Sequence, residues 1–172
     1  LMDFEKLAAE RYSLRKFSDR PVEPEKLTQI LEAGRNAPTA HNNQPQRILV
    51  IQSPEALELA DGCVDAHFHP PVLLVVSYDP AAAWVREKDG KNHGEIDAAI
   101  AATQMMLQAA DLGLGTTYIG MFDPVKIQET FPEELSGLTP IAVLALGYPA
   151  EGARPSRLHA DRKPLETLVR YR

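Results

Sequence analysis

Three short stretches carry side chains whose types and spacing can do chemistry. The first is Arg11-Tyr12-Ser13-Leu14-Arg15, in which two arginines and a serine alternate. On an extended backbone alternate side chains share a face, so two guanidinium groups and a hydroxyl point the same way. Planar paired donors beside a neutral one suit a phosphate dianion, and a solvated basic turn is the competing reading. The second stretch is Ala37-Pro38-Thr39-Ala40-His41-Asn42-Asn43-Gln44-Pro45. Its prolines keep it out of helix and inner strand. Between them lie a hydroxyl, an imidazole and three primary amides. Amides donate and accept at once, so they match the mixed N–H and C=O edge of a heterocycle, the alternative being a plain surface loop. The third is Ile119-Gly120-Met121, where a glycine after an apolar strand lets backbone lie close to a flat ligand. A fourth group, His67-Phe68-His69 with Asp65 and His93, could be a metal fragment. No second compact ligand pair stands at a zinc-type spacing, so the sequence predicts no metal site and a strand-entry turn there.

These groups must be held by the elements between them. A short helix over Asp3 to Arg11 leads into the first stretch. Pro24 at a first helical position, with Leu27, Ile30, Leu31 and Gly34 at helical spacing, predicts a helix that ends at the 37–45 loop. A buried strand is expected over Arg47 to Ile51 and a helix from Ser53-Pro54 to near Gly62. A second strand, Pro71 to Tyr78, is apolar throughout and so covered on both faces. Residues 79–93 read as loop. The helix predicted from Glu95 to Leu112 dominates the chain. Ile96, Ala99, Ile100, Thr103, Met106, Leu107 and Ala110 keep helical spacing, yet most other positions are apolar too. Only Asp97, Gln104, Gln108 and Asp111 make a thin polar stripe. A helix apolar nearly all round is buried on both sides, which in a chain of this size implies a second subunit. Gly113 fits a left-handed cap. A strand at Thr116 to Gly120, a helix opened by Asp123-Pro124 and a strand at Pro140 to Gly147 follow. The tail carries Arg154, Arg157, Arg162 and Lys163, with a final short helix or arm near Pro164.

Composition narrows the function classes. The 172 residues, 44% hydrophobic, suit one domain with a proper core, and helices intermixed with buried strands give an α+β or three-layer α/β/α fold. A net charge of −6 argues against a nucleic-acid surface. No apolar run reaches membrane-spanning length and no signal-peptide pattern is present. The single cysteine, Cys63, excludes an internal disulfide framework and points to the cytoplasm.

Taken together, Arg11-x-Ser13-x-Arg15, the 37–45 loop, the 110–120 run with its Leu-Gly-Leu-Gly-Thr-Thr-Tyr-Ile-Gly end, and Arg162-Lys163-Pro164-Leu165 resemble the nitroreductase family of FMN-dependent oxidoreductases. The resemblance spans nearly the whole chain in the right order. It implies a mostly antiparallel sheet flanked by helices, in a homodimer that holds FMN at the subunit interface. By position, Arg11, Tyr12, Ser13, Arg15, Arg162 and Lys163 would hold the ribityl phosphate and pyrimidine edge. Pro38, Thr39, Asn42 and Gln44 would come from the partner chain or the same rim. Ile119, Gly120 and Met121 would lie beside the reactive flavin edge. The implied activity is electron transfer from NAD(P)H through FMN to a nitroaromatic, quinone or similar acceptor at one shared site, with no side chain assigned as acid, base or nucleophile. A redox-silent FMN-binding module and a flavin-fragmenting or dehalogenating relative are the alternatives. Gln46 stands where many members have an aromatic residue, and Met121 where many have a second glycine. The chain is also short, so helices that often cover the substrate side are expected to be absent.

Overall fold

The computed structural model describes residues 3–172. In chain order its elements are α1 (Phe4–Glu10), α2 (Pro24–Arg35), β1 (Gln46–Ile51), α3 (Pro54–Asp61), β2 (Val72–Tyr78), β3 (Val85–Arg86), β4 (Lys91–Asn92), α4 (Gly94–Asp111), β5 (Gly115–Ile119), α5 (Pro124–Thr130), α6 (Pro132–Leu135), β6 (Thr139–Gly147) and α7 (Leu165–Leu168). The apolar run of β2 takes an inner place in a four-stranded sheet of order β1-β2-β6-β5, antiparallel at every step. Strand pleating sends its side chains alternately to two cores. Val72, Leu74 and Val76 meet Ile30 of α2 and Ala98, Ala102 and Met105 of α4. Leu73 and Val75 meet Ala60, Ile127, Phe131 and Leu135 beneath α3, α5 and α6. The fold is α+β, with helices on both faces of the sheet. β1 is less buried than its sequence suggests: only Ile51 is fully covered, because β1 is an edge strand.

Local chemistry sets the helix starts. Proline occupies the first turn of α2, α3 and α5, where its missing N–H costs nothing. Ser53 accepts from the Ala56 N–H, and Asp123 from those of Val125 and Lys126. Helix α4 ends in a Schellman arrangement. Gly113 has φ 79°, its N–H reaches Ala110 O at 3.1 Å, and the Leu114 N–H reaches Ala109 O at 2.9 Å. Lys26 ties this end to the rest, donating to Leu112 O (3.2 Å) and to the Tyr148 hydroxyl (2.8 Å). That hydroxyl donates to Glu23 Oε2 at 2.5 Å.

The structure shows which face of α4 the chain itself buries. The side buried within the chain is the small one, Ala98, Ala101, Ala102, Met105 and Ala109, because alanines let α2 and the sheet approach closely. The more regular set looks outward, with Ile96 42% and Ile100 37% exposed. The polar stripe is not a solvent stripe. Gln104 donates to Ala33 O at 2.8 Å, and Asp97, only 2% exposed, accepts the Ala40 N–H at 3.0 Å. Residues 79–93 are more ordered than a plain loop. β3 and β4 form a small hairpin that turns at Gly90 (φ 71°) and is braced by Arg86 on Asp89. From Arg154 onward nearly every residue is exposed, including Leu165, Leu168 and Tyr171. Among the described residues no helix is long and apolar enough to cross a membrane.

Candidate functional site

Strand β5 is an edge strand beside the first group of candidate residues. On one side it pairs with β6; on the other it meets only the 13–14 segment. Leu14 N–H donates to Thr116 O at 2.9 Å, and Thr117 Oγ1 donates to Leu14 O. This stitching places Arg11, Tyr12, Ser13 and Arg15 at the start of β5. Arg15 is exposed and leans back, its Nη1 3.4 Å from Ser13 O. Arg11 sits at the C-terminal cap of α1, half-buried. A cavity of about 240 Å³ opens there between Arg11, Tyr12, Gly113 and Thr116. Burial first, and then the positive charge of Arg162, push the Arg11 guanidinium below its usual pKa. The tail therefore returns to this place. His159 packs edge-on against Tyr12 (6.2 Å), and Lys163 follows Arg162, both exposed. Thr116 Oγ1 is buried on the same cavity with no hydrogen-bond partner. Two like charges held together and an unpaired hydroxyl make a site suited to an anion with several oxygens.

The far end of β5 reaches Ile119, Gly120 and Met121. Ile119 is buried in the core under α5, whereas Gly120 and Met121 are exposed, Met121 by 69%. A Cβ at Gly120 would meet nothing within 4 Å, and Gly120 is not among the positive-φ glycines. Its value is open space rather than backbone strain. The four residue steps from Thr116 to Gly120 span roughly 13 Å. Burial, and then the negative charge of Glu95, raise the pKa of Tyr118.

The 37–45 loop lies elsewhere. Pro38, Asn42 and Gln44 are exposed and Thr39 half-buried. Thr39 Oγ1 accepts the Gln44 N–H at 3.1 Å, and Gln44 Nε2 donates to Asn42 O at 3.1 Å. His41, Asn42 and Gln44 all adopt positive φ, between 52° and 55°. The loop is fastened to α4 through Asp97, whose second oxygen is buried without a partner. The loop leads into β1, which stands at the opposite end of the β1-β2-β6-β5 order from β5. Ala110, on the Arg11 cavity, is thirteen positions from Asp97, roughly 20 Å along the axis. Within one chain the structure joins the 11–15 group, Arg162 and β5, and keeps the loop residues apart from them. The histidine pair belongs to neither group. His67 bonds Asp61 at 2.9 Å and His69 approaches it at 3.8 Å.

Sequence reading did not name Asp97, Thr116 or Trp84 as site residues. Trp84 stacks on His41 (5.0 Å between ring centres), and its being the sole tryptophan was its one signal. The other two are ordinary residues, each with one buried side-chain oxygen that lacks a partner.

The model of the Nitroreductase family matches residues 8–66 and 56–148. The chain belongs to the nitroreductase family. A solved nitroreductase family protein from Clostridium difficile 630 is 38% identical, with a TM-score of 0.91 over 99% of this chain and 98% of that one. An FMN-dependent nitroreductase from Clostridium difficile R20291 is 25% identical, with a TM-score of 0.80 over 98% of each chain. The FMN reductase [NAD(P)H] of Bacillus subtilis is 31% identical over 85% of this chain and 66% of its own length. In this nitroreductase-family protein, as in those solved relatives, the antiparallel sheet and its flanking helices form the common fold.

Proposed function

We propose that this chain is an FMN-dependent oxidoreductase that passes electrons from NAD(P)H to a small acceptor such as a nitroaromatic or quinone, by a ping-pong mechanism. The observation that carries the reading is the half-buried Arg11 beside Arg162 at the head of the free β5 edge. Unfavourable in itself, the pair becomes favourable once a phosphate dianion lies between the guanidinium groups. Ser13 and Thr116 add hydroxyl donors, and Arg15 sets a positive charge nearer the ring end. Bare space at Gly120 lets a flat ring system lie against the backbone. The donor set therefore fits FMN, which when bound supplies hydride acceptance and electron delivery.

The loop amides would complete such a site from a second copy, because within one chain they lead into β1, at the opposite end of the sheet from β5. We infer a homodimer in which Pro38, Thr39, Asn42 and Gln44 of one chain face the β5 edge of the other. The outward Ile96 and Ile100, with exposed Tyr118 and Met121, support this, as does an arm with exposed Leu165, Leu168 and Tyr171. Burying such side chains contributes about 1.5–3 kcal/mol each. The deciding experiment is the visible spectrum of the purified protein. Flavin bands that bleach with NADH or NADPH, and parallel lines when donor and acceptor are varied, support the reading. Flavin that stays oxidised without oxygen would leave only a binding module, and intersecting lines would refute the shared site.

A further inference from the structure

The 37–45 loop and the β3-β4 hairpin meet through three aromatic rings that the proposed FMN contacts do not use. His41 stacks on Trp84 with 5.0 Å between ring centres and 17° between planes. His93 packs edge-on to the same indole at 4.6 Å and 61°. Each partner is fixed. The His93 N–H donates to Trp84 O at 2.9 Å, Asn92 donates to Pro80 O at 3.0 Å, and Arg86 approaches His93 Nε2 at 3.5 Å. Asp97 holds Ala40, next to His41, through its N–H.

His41 is exposed although one face of its ring lies on the indole, so the opposite face is open. Its backbone is left-handed (φ 53°), as are those of Asn42 and Gln44. Such conformations cost energy for residues other than glycine and are kept where surrounding structure enforces them, commonly at ligand sites. Here the strain turns an imidazole outward from the same loop that carries the flavin-facing amides.

We propose that His41, backed by Trp84, is a specificity-determining platform against which a planar, electron-poor acceptor ring stacks. The inference rests on the oxidoreductase reading, which sets this loop beside the bound flavin, and it names the side chains that choose the acceptor. An imidazole lying on an indole presents a face rich in π density. Rings drained by nitro or quinone groups match that face through their opposite quadrupole. Saturated acceptors of the same size gain nothing from it. The indole acts through His41 as a positioning residue.

Trp84 is the only tryptophan, so its emission reports this stack alone. The oxidised protein, as purified, is titrated with 4-nitrobenzoate and separately with cyclohexanecarboxylate while Trp84 fluorescence is followed. The expected result is saturable quenching by the aromatic acid and none by the saturated one. His41→Asn removes the ring but keeps a residue that tolerates positive φ, and should weaken nitrobenzoate binding about two- to tenfold. Trp84→Phe keeps a stacking ring, and its KM for a naphthoquinone should stay closer to wild type than that of His41→Asn. Quenching that never saturates, equal binding of the two acids, or an unchanged affinity in His41→Asn would each overturn the platform. Bleaching of the flavin by NAD(P)H is read on the same samples. Its failure would refute the oxidoreductase reading, whereas the binding measurement still decides whether the platform exists.

Discussion

Replacing Arg11 by alanine should separate ligand binding from folding in opposite directions. In the free chain the guanidinium is half-buried and repelled by Arg162, so its charged form is less stable folded than unfolded. A base whose pKa falls on folding weakens the fold at every pH where it is charged. Removing it should leave the stability of the FMN-free protein unchanged or slightly higher, by a few tenths of a kcal/mol, because the group is still partly screened by water. Binding moves the other way. A hydrogen bond to a charged group contributes about 1.5–3 kcal/mol, so Arg11→Ala should weaken FMN roughly ten- to hundredfold. Riboflavin, which lacks the dianion, should lose little. Flavin fluorescence titrations of both ligands and a thermal melt of the FMN-free protein give the numbers. Equal losses for FMN and riboflavin, together with a melting point several degrees lower, would show that Arg11 holds the fold rather than the phosphate.

Gly120→Val should melt like wild type, since nothing lies within 4 Å of the added Cβ, yet lose FMN or its reduction by NAD(P)H. Normal flavin binding and reduction in this variant would remove the 119–121 wall from the site. Arg86 pulls the Asp89 carboxyl from 3.8 down to about 2 by hydrogen bonding. The hairpin brace is therefore complete above about pH 4 and is lost as pH falls through about 2, a change Trp84 emission should follow and Asp89→Asn should abolish. Gly94→Ala would drive a Cβ into the Tyr78 ring and should cost about 1–3 kcal/mol in urea denaturation. Sedimentation should find a dimer at micromolar concentration, and a folded monomer there would contradict the two-chain site.

Helix starts were the most legible part of the chain, because proline, serine and aspartate act through bonds within three residues. The cap at Gly113 was readable for the same reason. The faces of α4 were not. Periodicity reports which residues share a side but not which side a sheet will choose, and here the alanine side won because it packs closest. β3 and β4 are two residues each, too short to show any alternation. At the site, Arg11, Ser13 and Arg162 stood out by charge and order, and the structure joins Arg11 to Arg162. Asp97 looked like one more polar residue on a helix until its partner proved to be a backbone N–H more than fifty residues earlier. The His41–Trp84 stack was equally hidden, since neither stretch contains a trace of the other.

The sheet order has a consequence for how the chain is made. β2 is covered on both faces and needs β6 as a neighbour, yet β6 begins 61 residues after β2 ends, at Thr139 against Tyr78. At ribosomal speeds of about 5–20 residues per second, roughly 3–12 s pass before that strand exists. During this interval one edge of an almost wholly apolar strand lies unpaired. β1, α3 and β2 can gather early, but the sheet closes only when β6 slips between β2 and β5. Slower elongation in the stretch between them would lengthen that exposure, and a chaperone that shields hydrophobic strands would matter most within this window.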